Sequence, residues 1–280
     1  MSNKPMLVFQ TDFTYKEGAV CAMYGVVKSV DRSLEIIDGS HELPQYDIWS
    51  ASYRLYQSME FWPTDTIFVS VVDPGVGTAR RACVAKTVHG HMIVTPDNGA
   101  LTHVKRTIGI TEVREIDESI NRLQRTKGVA IFHGRDLFGY CAARLASGII
   151  SFEEVGPVYP VEEIVELPIA EASVQGDKVC GIFEINDPNF GNLWTNIPLE
   201  MFTEAGFAYG DMLNVRVIND GKVAYEDRVL FEKSFGYAQK GDVMIYNNEL
   251  MRVAMAVSMG NFTEQYHLNY GGDWQVEFTK

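Results

Sequence analysis

Several short segments of this sequence carry side chains that can do chemistry. Thr11-Asp12-Phe13 places a carboxylate directly after the apolar run Leu7-Val8-Phe9. Asp73-Pro74-Gly75-Val76-Gly77-Thr78-Ala79-Arg80 sets a carboxylate and a guanidinium at the two ends of a glycine-rich turn. Pro96-Asp97-Asn98-Gly99 and Phe132-His133-Gly134-Arg135-Asp136 are two further polar turns. A guanidinium can grip a carboxylate with two parallel hydrogen bonds and hold it ionised, and an imidazole nearby completes an acid–base set. The same residues also fit an ordinary ion pair beside a structural histidine. Asp12, Asp73, Asp97 and His133 are also an oxygen and nitrogen donor set for a metal ion. Against the metal, no H-x-x-x-H or D-x-D cluster is present and Arg80 would sit badly beside a cation. A fifth segment, Asp187-Pro188-Asn189-Phe190-Gly191-Asn192, puts a glycine between a ring and an amide. Such a turn can stack on a purine and hydrogen-bond its edge, or it is a hairpin with a buried phenylalanine.

The elements that must position these segments alternate in type over roughly the first 165 residues. Leu7–Phe9, Leu34–Ile37, Ile67–Val72, Ala82–Ala85, His91–Val94, Val113–Ile116 and Gly128–Ile131 read as strands. Between them, Glu17–Val30, Asp47–Met59, Gly99–Arg106 and Arg135–Ser147 have helical spacing of apolar residues. The pattern predicts an α/β domain, residues 1–165, with a mostly parallel sheet. The polar turns fall at expected strand ends, where open α/β sheets hold their ligands. Gly156-Pro157 and Leu167-Pro168 punctuate the chain, and strand-like segments dominate beyond them: Val179–Ile185, Met212–Val217, Lys222–Tyr225, Val243–Tyr246 and Trp274–Phe278. Residues 166–280 are therefore expected to form an all-β, barrel-like domain.

Composition excludes some classes of partner. Of the 280 residues, 24 are Lys or Arg and 37 are Asp or Glu, a net charge of −13, which disfavours binding to nucleic acid or to anionic membranes. No targeting segment is expected at the N-terminus and no apolar run reaches a membrane-spanning length. Cys21, Cys83, Cys141 and Cys180 form no C-x-x-C pair, as in a protein of the reducing cytoplasm.

Together, Thr11-Asp12-Phe13, Val71-Val72-Asp73-Pro74-Gly75-Val76-Gly77, Pro96-Asp97-Asn98-Gly99, Phe132-His133-Gly134-Arg135-Asp136-Leu137-Phe138 and Phe190-Gly191-Asn192 resemble the S-adenosylmethionine hydroxide adenosyltransferases, relatives of the fluorinase and chlorinase. The resemblance runs from Thr11 to about Asn261, in the family's order. It implies an α/β domain followed by a β-barrel-like domain, and a homotrimer with active sites between one subunit's N-terminal domain and a neighbour's C-terminal domain. It further implies hydrolysis of S-adenosyl-L-methionine at C5′, giving adenosine and methionine, with no cofactor. The Asp-Arg-His set of the family matches Asp73, Arg80 and His133; Asp73 or His133 would take the proton from the attacking water. Substrate contacts carry over to Asp12 at the ribose, Trp49 beside it, Asp187 near the methionine amine, Phe190 and Asn192 at the adenine, and Phe235 on its second face.

The sequence also departs from the family. Thr14 and Glu17 stand where the family has glycine and aspartate, so Glu17 reaches the methionine amine from one methylene further. The family's Asn-Ser-x-Gly segment, which holds the methionine carboxylate, has no clean counterpart between Asn247-Asn248-Glu249 and Ser258-Met259-Gly260-Asn261. A substrate-binding protein without turnover is one alternative. A halogenase is another, disfavoured because His133-Gly134 replaces the fluorinase's tyrosine and serine, and because a carboxylate at Asp73 activates water but repels halide.

Overall fold

The computed structural model describes residues 4–280, and the chain divides into two compact units at Leu167/Pro168. The first unit contains seven strands: β1 (Leu7–Thr11), β2 (Ile36–Ser40), β3 (Ile67–Val71), β4 (Ala82–Thr87), β5 (Met92–Pro96), β6 (Ile110–Glu115) and β7 (Val158–Tyr159). Its α-helices are α1 (Ala19–Val30), α2 (Ile48–Met59), α3 (Thr102–Thr107), α4 (Glu118–Asn121) and α5 (Tyr140–Ala146). The sheet order is β2-β1-β3-β5-β4-β6-β7. Pairings β1–β2, β1–β3 and β3–β5 are parallel, whereas β4–β5, β4–β6 and β6–β7 are antiparallel. Five of the seven strands therefore point one way, and the sheet is mostly parallel.

Burial explains this layering. β1 and β3 are buried along their whole length, as expected of β-branched and aromatic strands covered on both faces. α1 packs Met23 and Val27 onto the sheet, and α5 adds Cys141, Ala142 and Leu145 to the same core. Asp47 caps α2 by accepting from the Ser50 amide at 2.9 Å, a contact whose loss typically costs about 1 kcal/mol.

Two local expectations fail in this unit. No strand forms over residues 128–131; these residues are exposed turn, and the sheet's edges are already β2 and β7. His133 therefore arrives not from a strand end but at the start of a helical segment, with φ −61° and ψ −27°. That segment opens with a π-helical turn, Gly134–Gly139, before α5 begins, a widening of the helix often found at functional sites.

The second unit has eight strands: β8 (Ser173–Gln175), β9 (Lys178–Asp187), β10 (Asn192–Pro198), β11 (Met212–Asn219), β12 (Lys222–Phe231), β13 (Val243–Asn247), β14 (Arg252–Val257) and β15 (Trp274–Thr279). Two short helices, α6 (Leu199–Glu204) and α7 (Phe262–Tyr266), lie between them. Strand β9 pairs with both β10 and β15, which closes β9-β10-β14-β13-β12-β11-β15 into a seven-stranded barrel, with β8 added on β9. Phe202 fills its interior edge-on to Phe207, Phe231 and Phe278, at centroid distances of 4.6, 5.2 and 5.1 Å. Such aromatic clusters supply much of a small barrel's buried area.

Candidate active site

In the first unit the turn after β3 folds back on itself. Arg80 Nε donates to Asp73 Oδ1 at 2.9 Å, and its Nη2 pairs with Asp73 Oδ2, making the two-pronged grip that the spacing allows. Both side chains are nearly buried, at 10% and 6% exposure. The Arg80 guanidinium also lies over the Phe138 ring, 5.2 Å from its centroid, so the π-helical turn supports it from below. Gly77 permits this loop: its φ is +77°, and a Cβ there would stand 3.1 Å from the Ala130 carbonyl oxygen.

His133 completes the cluster. Its Nδ1 lies 2.9 Å from Arg80 Nη2, and only 5% of the residue is exposed. Burial, followed by the neighbouring Arg80 charge, holds this imidazole below its ordinary pKa, so the neutral ring is favoured. Gly134 leaves room for Phe13, whose ring would be 3.1 Å from a Cβ at that position. Phe13 also meets Phe132 edge-on at 5.9 Å, linking the loop after β1 to the start of the His133 segment.

That loop has a brace of its own. Thr11 Oγ1 accepts from the Phe13 amide at 3.1 Å and bonds His41 Nδ1 at 2.8 Å. His41 Nε2 bonds the Tyr24 hydroxyl at 2.8 Å, and both Tyr24 and Tyr15 donate to Asp38. His41 is buried, which lowers its pKa despite the Asp38 charge. Asp12 itself is half-buried, and its Oδ2 accepts from the Tyr46 amide at 2.9 Å. Sequence reasoning missed His41, although it directly follows β2 at another strand end and so carried the same signal as Asp12.

The remaining predicted residues of this unit take varied places. Glu17 is exposed and accepts from the Ala19 amide at 2.9 Å, at the entrance of α1. Trp49 is half-buried on α2 and packs edge-on against His103 at 5.5 Å. In the Pro96–Gly99 turn the polar residues are committed to structure. Asn98 Nδ2 donates to the Val72 carbonyl at 3.0 Å, directly before Asp73. Asp97 accepts from the Tyr159 hydroxyl and the Val165 amide, at 3.0 and 2.9 Å. Among the described residues, no group of three or more His, Cys, Asp or Glu side chains is placed to hold a metal ion.

In the second unit, a cavity of about 840 Å³ is lined by Phe190, Asn192, Phe235, Lys240, Ser258 and Met259, among others. Phe190 is 60% exposed, so it is not a buried hairpin residue, whereas Asn192 is 7% exposed. Gly191, at φ +69°, makes the turn between them; a Cβ there would collide with the Asn261 side chain. Asp187 sits on the same turn, where its Oδ1 accepts from the Asn189 and Phe190 amides at 3.2 and 3.4 Å. Phe235 packs against the Tyr246 ring at 4.9 Å. Asn247 ends β13 and Asn248 opens the β13–β14 turn: Tyr209 donates to Asn247 Oδ1 at 2.8 Å, and Asn248 Oδ1 accepts from the Leu250 and Arg252 amides. The residues of the ambiguous segment that line the cavity are Ser258–Asn261. Lys240 was not expected there, since nothing in its local sequence marks it.

Comparison with known proteins follows the same division. The profile of the SAM (S-adenosylmethionine) hydroxide adenosyltransferase N-terminal domain matches residues 7–156, and that of the C-terminal domain matches residues 183–275. The chain is 35% identical to the (R)-S-adenosyl-L-methionine hydrolase of Salinispora tropica, over 93% of each chain. It is 28% identical to the enzyme of that name from Methanocaldococcus jannaschii, over 87% of this chain and 85% of the other. A fluorinase from an Actinoplanes strain is 25% identical over 96% of both chains. Among solved structures, an uncharacterized conserved protein from Thermotoga maritima superposes with a TM-score of 0.88 at 33% identity, covering 98% of this chain and all of the other.

Proposed function

This chain belongs to the S-adenosylmethionine hydroxide adenosyltransferase family, and we propose that Asp73, Arg80 and His133 carry its chemistry. The protein is an S-adenosyl-L-methionine hydrolase that releases adenosine and L-methionine. The oxygen of a water molecule attacks C5′ while the C5′–S bond breaks. The bonding pair leaves on sulfur, which turns the sulfonium into a neutral thioether. The leaving group thus needs no general acid, and the work of the site is to orient the water and remove its proton. Asp73 takes that proton, because a second proton on His133 would be placed against the Arg80 guanidinium. His133 orients the water, and Arg80 fixes Asp73.

The substrate is the (R)-sulfonium epimer that the relatives' names specify. Asp12 accepts from the ribose hydroxyls, with Trp49 against the sugar. Phe190 and Phe235 sandwich the adenine and Asn192 hydrogen-bonds its edge. Glu17 and Asp187 serve the methionine amine, and no resident cofactor takes part. The protein works as a cytoplasmic homotrimer in which one subunit's first unit meets a neighbour's second unit at each active site.

The observation that carries the reading is the buried Asp73–Arg80 grip with His133 on the same guanidinium. Halide chemistry is disfavoured by Gly134, which supplies no hydroxyl and has the Phe13 ring in the adjoining space. The test is incubation with S-adenosyl-L-methionine in heavy-oxygen water. The label is expected at the 5′ oxygen of adenosine; unlabelled adenosine, or none formed, would overturn the mechanism.

A further inference from the structure

His133 is in contact with a second guanidinium that neither the sequence nor the proposed mechanism uses. Arg122, just beyond α4, points Nη1 at His133 Nε2 from 3.2 Å, while Arg80 holds the opposite Nδ1 edge at 2.9 Å. Arg122 is itself fixed: Nη1 pairs with Glu118, Nη2 donates to the Val129 carbonyl at 2.5 Å, and the side chain is only 12% exposed. A guanidinium has donors only, so each of these nitrogens seeks a lone pair on the ring. A neutral imidazole offers one lone pair, and an imidazolium offers none. Protonating His133 would therefore remove the one hydrogen bond that the ring can accept from these arginines and place three cations in a row.

We propose that Arg122 is a positioning residue of the hydrolysis, which clamps the Nε2 edge of His133 and, with Arg80, keeps the ring uncharged while Asp73 receives the water proton. The groups facing His133 are Asp73 and Arg80 from the turn after β3, and Glu118 and Arg122 from the α4 segment. Glu118 and Asp73 act in the opposite sense to the arginines, but each carboxylate is already bound to one of them. Burial and Arg80 are the larger influences on the ring, and Arg122 offsets its own partner Glu118, so removing Arg122 leaves Glu118 to favour the charged form. This also gives the exposed 128–131 segment a purpose: its Val129 carbonyl anchors the guanidinium that reaches His133.

The proposal rests on the hydrolase reading, but its test does not need turnover. His133 is followed by NMR titration in the wild-type protein, Arg122→Gln and Arg122→Lys. The wild-type midpoint is expected below the ordinary histidine value of about 6.5. It should rise by at least about half a pH unit in Arg122→Gln, as expected on losing a contacting charge. In Arg122→Lys, which keeps the charge, it should return towards the wild type. In parallel, the acid limb of kcat/KM should move to higher pH in Arg122→Gln, with little change on the alkaline side. A wild-type midpoint at or above 6.5, which can be read even if a variant fails to fold, would overturn the proposal. So would an unmoved midpoint in Arg122→Gln, or an activity loss equal at every pH. If adenosine formation fails while the midpoints shift as stated, the hydrolase reading falls and the clamp stands.

Discussion

The two units hold their candidate site residues in opposite ways. In the first, every member of the acid–base cluster is nearly buried and tied to a charged partner: Asp73 to Arg80, and His133 to Arg80 and Arg122. In the second, the cavity presents rings at turns, Phe190 at 60% exposure and Phe235 at 41%, with a single well-buried amide at Asn192. The difference matches what the proposed roles require. Stabilising developing charge needs dipoles and charges fixed in advance and shielded from water. Stacking on a base needs area, is tolerant of small displacements, and gains from rings that are wet until the ligand covers them. Mutations in the first unit should therefore act on turnover, and those in the second on substrate affinity.

The sharpest way to break this division is Asp73→Asn. It keeps the shape but loses the proton acceptor, the negative charge and one of the two hydrogen bonds accepted from Arg80. Turnover should fall by about 10²–10⁴-fold, as for a lost general base, while KM stays nearly unchanged. Steady-state kinetics showing wild-type turnover would remove Asp73 from the chemistry. A KM rise as large as the turnover loss would instead deny that the two units divide the work.

Asp12 tests the boundary, since it lies in the first unit but is assigned to binding. Asp12→Asn turns one acceptor oxygen into a donor, so two ribose hydroxyls can no longer both donate to it. Adenosine affinity should weaken by about 1–3 kcal/mol, the range for a hydrogen bond to a charged group. Calorimetry giving equal affinity would count decisively against the ribose role. Asn192→Ala, in the second unit, removes a neutral hydrogen bond of about 1 kcal/mol, so KM should rise roughly fivefold with little loss of turnover. An unchanged KM in the folded variant would take Asn192 out of the site.

How much of this was legible in the sequence differs between the units for the same physical reason. Turn chemistry is local, so the Asp73–Arg80 grip could be inferred from a glycine-rich spacing, and the Phe190-Gly191-Asn192 turn from residue type alone. The α/β alternation and the change to β-rich sequence were likewise visible as periodicity. Contacts set by the three-dimensional path were not. Arg122 reaches His133 only because residues 128–131 leave the sheet instead of joining it. His41 braces Thr11 across 30 residues through parallel pairing of β1 with β2. Strands β10 and β14, which lie side by side in the barrel, were not anticipated. β10 reads as a polar motif with Asn192, Thr195 and Asn196, and β14 holds two alanines where bulkier β-formers would have marked a strand. Asp97 and Asn98 had the composition of site residues but serve as ties, since burial and partner choice decide between the two.

The smallest expected effect is on stability, and it sharpens the same contrast without substrate. His41 and His133 are both buried in the first unit, and burial lowers the pKa of each. The second unit has only His267, which is exposed. Below about pH 6.5 the unfolded chain begins to bind protons at these two histidines while the folded chain still excludes them. The unfolded state then holds more protons, so stability must fall as pH drops from about 6.5 towards the lowered native values, and must be level with respect to these groups above that window. Each histidine contributes a slope of at most about 1.4 kcal/mol per pH unit. Hydrogen exchange at pH 5.5 and 7.5, corrected for intrinsic rates, should show β1 and α1 losing protection at the lower pH, with β10–β14 unchanged. His41→Gln should remove part of that loss by taking away one of the two protonation sites. Equal acid sensitivity of both units would show that the buried histidines do not set the difference between them.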